Sequence, residues 1–278
     1  MSGMLYVVGT PIGNLNDFSP RGLETLQEVD FIAAEDTRVT LKLLNRFEIK
    51  KPLISYHEHN RFEKGTAIVE RILAGESCAL VTDAGMPAIS DPGEELVLQC
   101  HLAGVPVVSV PGPSALITAL AISGMPSGRF TFEGFLSMNK RSRREHLQEI
   151  VNEPRTMIFY EAPHKLLATL KDMFAVLGDR KLALVRELTK IHEDVFRTTL
   201  AQAIEHYTQN QPKGEFVLIV NGCDPVVTQT NEFTLEQAAE IAKEKMEQGI
   251  TPTLASKMAA EISGFKKNDI YAYINKNK

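Results

Sequence analysis

Near the start of the sequence, residues 5–14 read LYVVGTPIGN. The apolar run at 5–8 predicts a buried strand, and the glycine-rich segment at 9–14 predicts a tight turn at its carboxyl end. Ligands of open α/β sheets bind at such strand ends. The turn lacks the GxGxxG pattern of dinucleotide sites, and Pro11 has no N–H to donate to a pyrophosphate. We therefore expect either a site for another small ligand or a turn with a purely structural role.

Strand-like and helical segments alternate outward from this stretch. Short apolar runs recur at 31–34, 78–81 and 106–110, separated by segments of helical pattern. Such runs are typical of a mostly parallel sheet covered by helices on both faces. The alternation resumes after residue 130. We predict an α/β fold with two domains, at residues 1–112 and 113–224, then a polar linker at 224–232 and a helical appendage at 234–278.

The composition is that of an ordinary globular protein, with 44% hydrophobic residues in a chain of 278. The net charge of −5 excludes a uniformly basic nucleic-acid binder but not a local basic patch. Three scattered cysteines, Cys78, Cys100 and Cys223, disfavour a disulfide framework and a structural zinc site and suit the reducing cytoplasm. No phosphate-loop motif, secretory leader pattern or long apolar run occurs, so we expect neither a P-loop nucleotide hydrolase nor a membrane span.

Two further loops follow predicted strands. They read TDAGMPAISDPG at 82–93 and PGPSA at 111–115. Asp83 is a candidate for holding a ligand hydroxyl, whereas Asp91 is expected to cap the next helix. Ser114 stands at a helix start, where its hydroxyl and the free N–H groups suit a carboxylate, although a plain N-cap is the simpler alternative. Three loops at successive strand ends predict one ligand cleft between the two domains.

Eight motifs occur together and in a fixed order. They are GTPIGNL at 9–15, AEDTR at 34–38, SYHEHN at 55–60, the loops at 82–93 and 111–115, FYEAPH at 159–164, RELTK at 186–190 and KGEF at 213–216. With them the chain resembles the tetrapyrrole methylase superfamily, and within it the branch that methylates the 2′-hydroxyl of a cytidine in 16S ribosomal RNA. The resemblance implies two α/β domains around S-adenosylmethionine (SAM), a homodimer, and a substrate in the decoding centre of the small ribosomal subunit in the cytoplasm.

The resemblance also assigns residues to the cofactor. Carried over motif by motif, they are Pro11, Asp83, Ala84, Gly85, Ala88, Ser114, Ala115, Glu161 and Leu188. Members that modify tetrapyrroles typically carry a Gly-Gly-Asp-Pro sequence, whereas here Asp83 precedes Ala84 and Gly85. This displacement of the aspartate is similar to the ribosomal RNA branch.

Methyl transfer to a ribose hydroxyl requires alignment of three atoms and removal of one proton. We predict that proton handling is shared among Glu35, Asp36, His57 and Lys190. Each has a structural alternative. An aspartate at a helix start can pair with Arg38, the HEH segment at 57–59 can be a solvated loop or an RNA contact, and RELTK can hold internal ion pairs. HEH does not have the HExxH spacing of a zinc site, so we expect no metal.

Basic segments are the predicted RNA-facing surface. KRSRR at 140–144 precedes a predicted helix, and the appendage adds Lys266, Lys267, Lys276 and Lys278. The appendage from 253 onward resembles a helix-turn-helix, and Leu254, Met258 and Ile262 recur at helical spacing, which predicts a buried stripe.

Two other functions compete with RNA methylation. One is SAM-dependent methylation of a tetrapyrrole or corrin precursor, which would need neither the basic run nor the helical appendage. The other is a non-catalytic RNA-binding protein of ribosome assembly, which would not need the cleft. A nicotinamide-dependent dehydrogenase is disfavoured because its glycine fingerprint is missing.

Overall fold

The computed structural model describes residues 3–223 and 234–276 of the chain. The chain divides into two compact units, Met1–Cys223 and Asp224–Lys278. The predicted linker at 224–232 and Lys278 lie outside the described residues. Both predicted α/β domains lie within the first unit, so the boundary at residue 112 stays a prediction.

The first sheet is entirely parallel, in agreement with the apolar runs. Its order is β3-β2-β4-β1-β5. The strands are β1 (Leu5–Val8), β2 (Phe31–Ala34), β3 (Leu53–Ser55), β4 (Cys78–Val81) and β5 (Val107–Val110), and the helices are α1 (Pro20–Glu28), α2 (Thr37–Arg46), α3 (Arg61–Leu73) and α4 (Gly93–Leu102). Successive residues of β1 serve opposite faces: Val7 packs in one core with Ile68 of α3, and Val8 packs in another with Leu26 of α1.

The second sheet is mixed. Its order is β6-β7-β10-β8-β9, with β6 and β7 parallel and the other neighbours antiparallel. Its elements are α5 (Ala115–Ser123), β6 (Phe130–Phe135), α6 (Lys140–Glu149), β7 (Thr156–Glu161), α7 (Pro163–Leu177), β8 (Lys181–Arg186), β9 (Asp194–Thr199), α8 (Leu200–Gln209) and β10 (Phe216–Val220). Helix α5 packs on one face of this sheet, against Ile158 of β7 and Val217 of β10. The larger core lies on the other face and contains Phe159 and Leu218.

Within residues 234–276 the appendage contains three helices, α9 (Leu235–Glu247), α10 (Pro252–Ser263) and α11 (Lys267–Lys276). Its core is rich in alanine: Ala238, Ala239, Ala242, Ala255 and Ala259 pack with Ile270 and Ile274.

The predicted buried stripe on α10 is wrong. Leu254 and Ile262 are 51% and 54% exposed, and Met258 is half-buried. The small residues Ala255 and Ala259, one position further along the chain, occupy the core instead. Alanine lets helices approach closely, so the larger side chains of α10 lie on the outer face.

Within the described residues, no helix is long and apolar enough to cross a membrane.

Candidate functional site

A cavity of about 490 Å³ lies in the first unit where the two sheets meet. The loops after β1, β2, β4 and β5 form one side, and residues from β6, β7, β8 and β10 and the segments that flank them form the other. Seven of the predicted cofactor residues line it: Asp83, Ala84, Gly85, Ser114, Ala115, Glu161 and Leu188. Pro11 and Ala88 do not line it, but each lies in a loop that does.

Backbone contacts hold the three predicted loops together. Thr10 and Gly85 exchange two hydrogen bonds, with N–O distances of 2.9 and 3.1 Å. A Cβ atom on Gly9 would lie 2.7 Å from the Cα of Gly112, so only glycine permits this approach. The loops after β1, β4 and β5 therefore form one wall, with Pro11 directly beside the Thr10 bridge.

Asp91 fixes the shape of the long loop. Its Oδ1 accepts hydrogen bonds from the N–H groups of Ala88 at 3.0 Å and Gly93 at 2.8 Å. These bonds hold Ala88 in a left-handed conformation, with φ of 66°. Pro92 holds the N-cap position of α4, one residue later than predicted, but the predicted capping bond is present, because the Asp91 carboxylate accepts the N–H of Gly93, the first residue of the helix. Burial raises the pKa of Asp91.

Ser114 is the N-cap residue of α5, but its side chain makes no capping hydrogen bond. Instead, the Tyr160 hydroxyl accepts the N–H of Leu116 at 3.1 Å. Burial raises the pKa of Tyr160, so its hydroxyl stays protonated at neutral pH. The Ser114 hydroxyl has no partner among the described residues and lines the cavity, where it can meet a ligand.

Two carboxylates stand at the strand ends of the first sheet. Glu35 lines the cavity, and its Oε2 accepts a hydrogen bond from the Thr82 hydroxyl at 2.6 Å. Asp83 also lines the cavity and accepts the N–H of Asp36 at 3.1 Å. Partial burial raises the pKa of Asp83, and the negative charges of Glu35 and Asp36 add to this effect.

Asp36 lies outside the cavity lining. It caps α2 through a 2.8 Å hydrogen bond from the N–H of Arg38 and forms an ion pair with the Arg38 guanidinium at 2.6 Å. These hydrogen bonds lower the pKa of Asp36 to about 2. Asp36 therefore has the structural role that was the alternative for the AEDTR motif, a carboxylate paired with an arginine at a helix start.

His57 also lies outside the cavity lining. Its N–H donates to Asn60 Oδ1 at 2.9 Å, and its ring meets that of His59 edge-on with 6.0 Å between centroids. The segment forms a turn rather than a strand. Within residues 3–223 and 234–276, no group of three or more His, Cys, Asp and Glu side chains is arranged to hold a metal ion.

Lys190 lines a second cleft, of about 670 Å³, to which Gly13 of the first turn also contributes. Its Nζ donates to Glu187 Oε1 at 2.9 Å and to Glu215 Oε2 at 2.7 Å. Partial burial opposes the charge, but these two carboxylates prevail and raise the pKa of Lys190. Lys190 is therefore a cation at neutral pH. It does not line the main cavity, but its partner Glu215 does.

Glu161 lines the cavity, yet its carboxylate is already satisfied. It is 2% exposed and accepts hydrogen bonds from the N–H of Ala162 at 2.8 Å and from the Thr169 hydroxyl. Lys165 pairs with it at 3.2 Å. The donors surround the carboxylate from α7 and its N-cap, so this buried charge is compensated.

The basic run at 140–144 forms the first half of α6 rather than preceding a helix. Arg143 is 7% exposed and pairs with the buried Asp172, which Arg144 also contacts at 2.9 Å. Arg141 pairs with Glu145 at 2.8 Å. Lys140 alone of the four cations has no ion pair among the described residues. Arg143 and Arg144, which pair with the buried Asp172, therefore stabilise the fold.

Several lining residues were not predicted from the sequence. Among them are the apolar Ile12, Val185 and Val217, the aromatic Phe135 and Tyr160, and Glu215. Ile12, Tyr160 and Glu215 lie within motifs already quoted from the sequence, GTPIGNL, FYEAPH and KGEF. Val185 and Val217 gave no signal, because a strand residue facing a cavity has the same sequence pattern as one facing the core.

The sequence of this chain matches the family of Tetrapyrrole (Corrin/Porphyrin) Methylases over residues 4–204. Among solved structures, uroporphyrin III C-methyltransferase from Thermus thermophilus is 18% identical with a TM-score of 0.57, covering 79% of this chain and 97% of that one. A second structure from that organism, a complex with S-adenosylhomocysteine, is 19% identical with a TM-score of 0.54, covering 78% and 97%. These likenesses establish the fold.

Curated relatives extend over nearly the whole chain. A protein of Synechocystis sp. named ribosomal RNA small subunit methyltransferase I is 49% identical over 270 residues, covering 97% of this chain and 96% of the relative. Its namesake from Haemophilus influenzae is 45% identical, covering 98% and 96%. That from Thermotoga maritima is 47% identical, covering 79% of this chain and 99% of the relative. The chain thus belongs to the tetrapyrrole methylase family and, within it, to the ribosomal RNA small subunit methyltransferase I family.

Proposed function

We propose that this chain is a SAM-dependent methyltransferase that modifies the 2′-hydroxyl of a cytidine in the decoding centre of 16S ribosomal RNA, acting on the small ribosomal subunit. The observation that carries the proposal is the near full-length similarity, at 49% identity, to a relative named for methylation of small-subunit ribosomal RNA. The position on the ribose and the nucleotide come from the resemblance of the motifs.

The main cavity suits SAM in size and chemistry. Its volume of about 490 Å³ lies within the range of small-molecule sites. Ala84 and Gly85 leave the backbone accessible, Val185 and Leu188 offer apolar contacts to an adenosine, and the Ser114 hydroxyl is unpartnered. SAM is a cation at its sulfonium centre, and the cavity lining contains five carboxylate residues and no Lys or Arg within the described residues: Glu35, Asp83, Asp91, Glu161 and Glu215.

When bound, SAM supplies a methyl group that is already activated for in-line displacement. The residues of this chain then have two tasks, alignment and proton removal. Of the four residues predicted to handle the proton, only Glu35 lines the cavity. Asp36 is a weak base with a pKa of about 2, and Lys190 is held as a cation by its carboxylate partners. We assign proton acceptance to Glu35, with Thr82 orienting its carboxylate.

The RNA would reach this cavity past α6. Lys140 is exposed at the start of that helix, and Lys266, Lys267 and Lys276 are exposed on the appendage. Phosphate contacts by these cations make affinity depend steeply on salt. The cytoplasmic location belongs to the same proposal, since relatives named for ribosomal RNA methylation suggest where the substrate is found. The homodimer is proposed from the resemblance of the motifs alone.

The test is transfer of a tritiated methyl group from SAM to undermethylated small subunits and, separately, to a precorrin mixture. We expect label in the ribosomal RNA at one site that resists alkaline cleavage. Label only in the tetrapyrrole would retain the fold and cofactor and refute the substrate. Label in neither, with no SAM binding by calorimetry, would favour the non-catalytic RNA-binding alternative.

A further inference from the structure

A break in the regular pairing of β6 directs one aromatic side chain into the cavity. Phe132 pairs with Ile158 of β7, but Gly134 pairs with the next residue, Phe159, so Glu133 is an extra residue in the strand. Gly134 has φ of +64°, a conformation that favours glycine. Bulges of this kind re-aim side chains next to functional sites.

The bulge changes the face on which Phe135 lies. Strict alternation from Phe132 would put residue 135 on the opposite face of the sheet, with the large core beneath α7. With the extra residue, Phe135 pairs with Tyr160 and lies on the same face as Phe132 and Tyr160, whose rings are 5.0 Å apart. Phe135 lines the cavity as a result.

The Phe135 ring contacts two neighbouring side chains, yet most of the residue stays exposed. Its centroid lies 5.4 Å from that of Tyr160, and the ammonium group of Lys165 lies 5.6 Å from it. The residue is nevertheless 56% exposed. A phenylalanine that is fixed on one side and open on the other, at the wall of a cavity, is a stacking surface for a flat ligand.

We propose that Phe135 stacks on the base of the RNA nucleotide whose ribose enters the cavity. This inference rests on the proposed function and names the group that would hold the substrate base. Aromatic side chains bind unpaired bases in this way, since every base has a π-face.

The surroundings of Phe135 favour an RNA base over the adenine of the cofactor. From the ring the chain leads within five residues to Met138, which is 76% exposed, and to Lys140, whose charge has no partner among the described residues. A base in an RNA strand is linked to phosphates that this cation can meet, whereas SAM carries no phosphate. The open ring and the unpaired cation are therefore complementary to one ligand, a nucleotide within a strand.

The test compares Phe135→Leu with Phe62→Leu in the full-length protein. Phe62 is a matched control, because it is 63% exposed, has an arginine cation 4.9 Å from its ring and lies on α3 outside the cavity lining. Binding to undermethylated small subunits is measured by filter retention, SAM affinity by calorimetry, and methyl transfer by steady-state kinetics. Loss of one base–aromatic stack is expected to weaken subunit binding and raise KM about 5- to 150-fold for Phe135→Leu. SAM affinity should stay within twofold, and Phe135→Tyr should restore KM.

Two results would overturn the inference. If Phe135→Leu weakens SAM binding as much as subunit binding, the ring belongs to the cofactor. If Phe135→Leu behaves like Phe62→Leu in every measurement, the ring contacts neither ligand. Because subunit binding is measured without methyl transfer, a wild-type protein that binds subunits but does not methylate them would refute the proposed function and still leave the stacking contact testable.

Discussion

The substitution Asp172→Asn separates the part of the basic run that stabilises the fold from the part that can contact RNA. The Asp172 side chain is 7% exposed and pairs with Arg143, whose side chain is 9% exposed, and with Arg144. Removing one partner of a buried ion pair costs about 3–5 kcal/mol, because the other charge stays buried without compensation. In a unit of 150–250 residues this corresponds to a fall in Tm of roughly 6–20 °C, at about 2–4 °C per kcal/mol.

The pH dependence has a defined sign. Burial alone would raise the pKa of Asp172, but the hydrogen bonds and charges of Arg143 and Arg144 prevail and lower it. A carboxyl group with a lowered folded-state pKa stabilises the protein above its unfolded value, about 3.9, and loses this contribution as the pH falls through the folded value. The difference in Tm between wild type and Asp172→Asn should therefore be full at pH 7 and shrink below about pH 4.

The assay is thermal unfolding followed by circular dichroism at pH 7 and pH 3.5. Glu145→Gln is the matched control, because it removes one carboxylate charge from an exposed pair with Arg141 on α6, the helix that also contains Arg143 and Arg144. An exposed pair contributes at most about 1 kcal/mol, so the control should shift Tm by less than about 4 °C. Equal shifts for the two variants at pH 7 would refute the assignment of Arg143 to the fold, and Arg143 would return to the candidate RNA contacts.

Three further substitutions test the site. Glu35→Gln should reduce kcat by about 10²–10⁴-fold with SAM affinity unchanged, and single-turnover kinetics with calorimetry would detect the contrary case of a weakened cofactor site. Tyr160→Phe removes the acceptor of the Leu116 N–H and should lower stability by about 0.5–1.5 kcal/mol in urea unfolding; no loss would mean that this bond does not anchor α5. Lys140→Glu should lower the slope of log affinity for subunits against log salt by about 0.7–1, whereas the same change at Lys64 on α3 should not.

Local sequence patterns were sufficient to predict much of the first sheet. The apolar runs at β1, β2 and β4 become fully or mostly buried strands, and the three loops that follow β1, β4 and β5 meet as expected. This success has a physical basis, because a parallel strand buried on both faces must be apolar throughout, and its carboxyl end must turn away from the sheet. The apolar pattern of the strands and the position of the loops therefore both follow from a parallel sheet that is covered on both faces.

The strand directions of the second sheet could not be predicted from such local patterns. Period-two alternation is identical for parallel and antiparallel strands, so the sequence did not indicate that β10 pairs antiparallel to both β7 and β8. The bulge at Gly134 inverts the face of Phe135, which no regular alternation predicts. Lys190 was a candidate base in the sequence, but its pairing with Glu215 depends on a contact between segments 25 residues apart.

The charge of the cavity distinguishes the two methylation hypotheses. A tetrapyrrole precursor with several carboxylates would need basic residues around it, and the part of the chain that the structure describes places no Lys or Arg in the lining. Of the five carboxylates in that lining, Glu161 and Glu215 are already paired with Lys165 and Lys190. The lining charge that favours a sulfonium over an anion therefore comes from the other three, Glu35, Asp83 and Asp91. An acidic cavity disfavours an anionic tetrapyrrole precursor more than it disfavours RNA. Under the proposed function only a neutral ribose and base need enter the cavity and the phosphates stay outside it, so an acidic cavity is compatible with an RNA substrate.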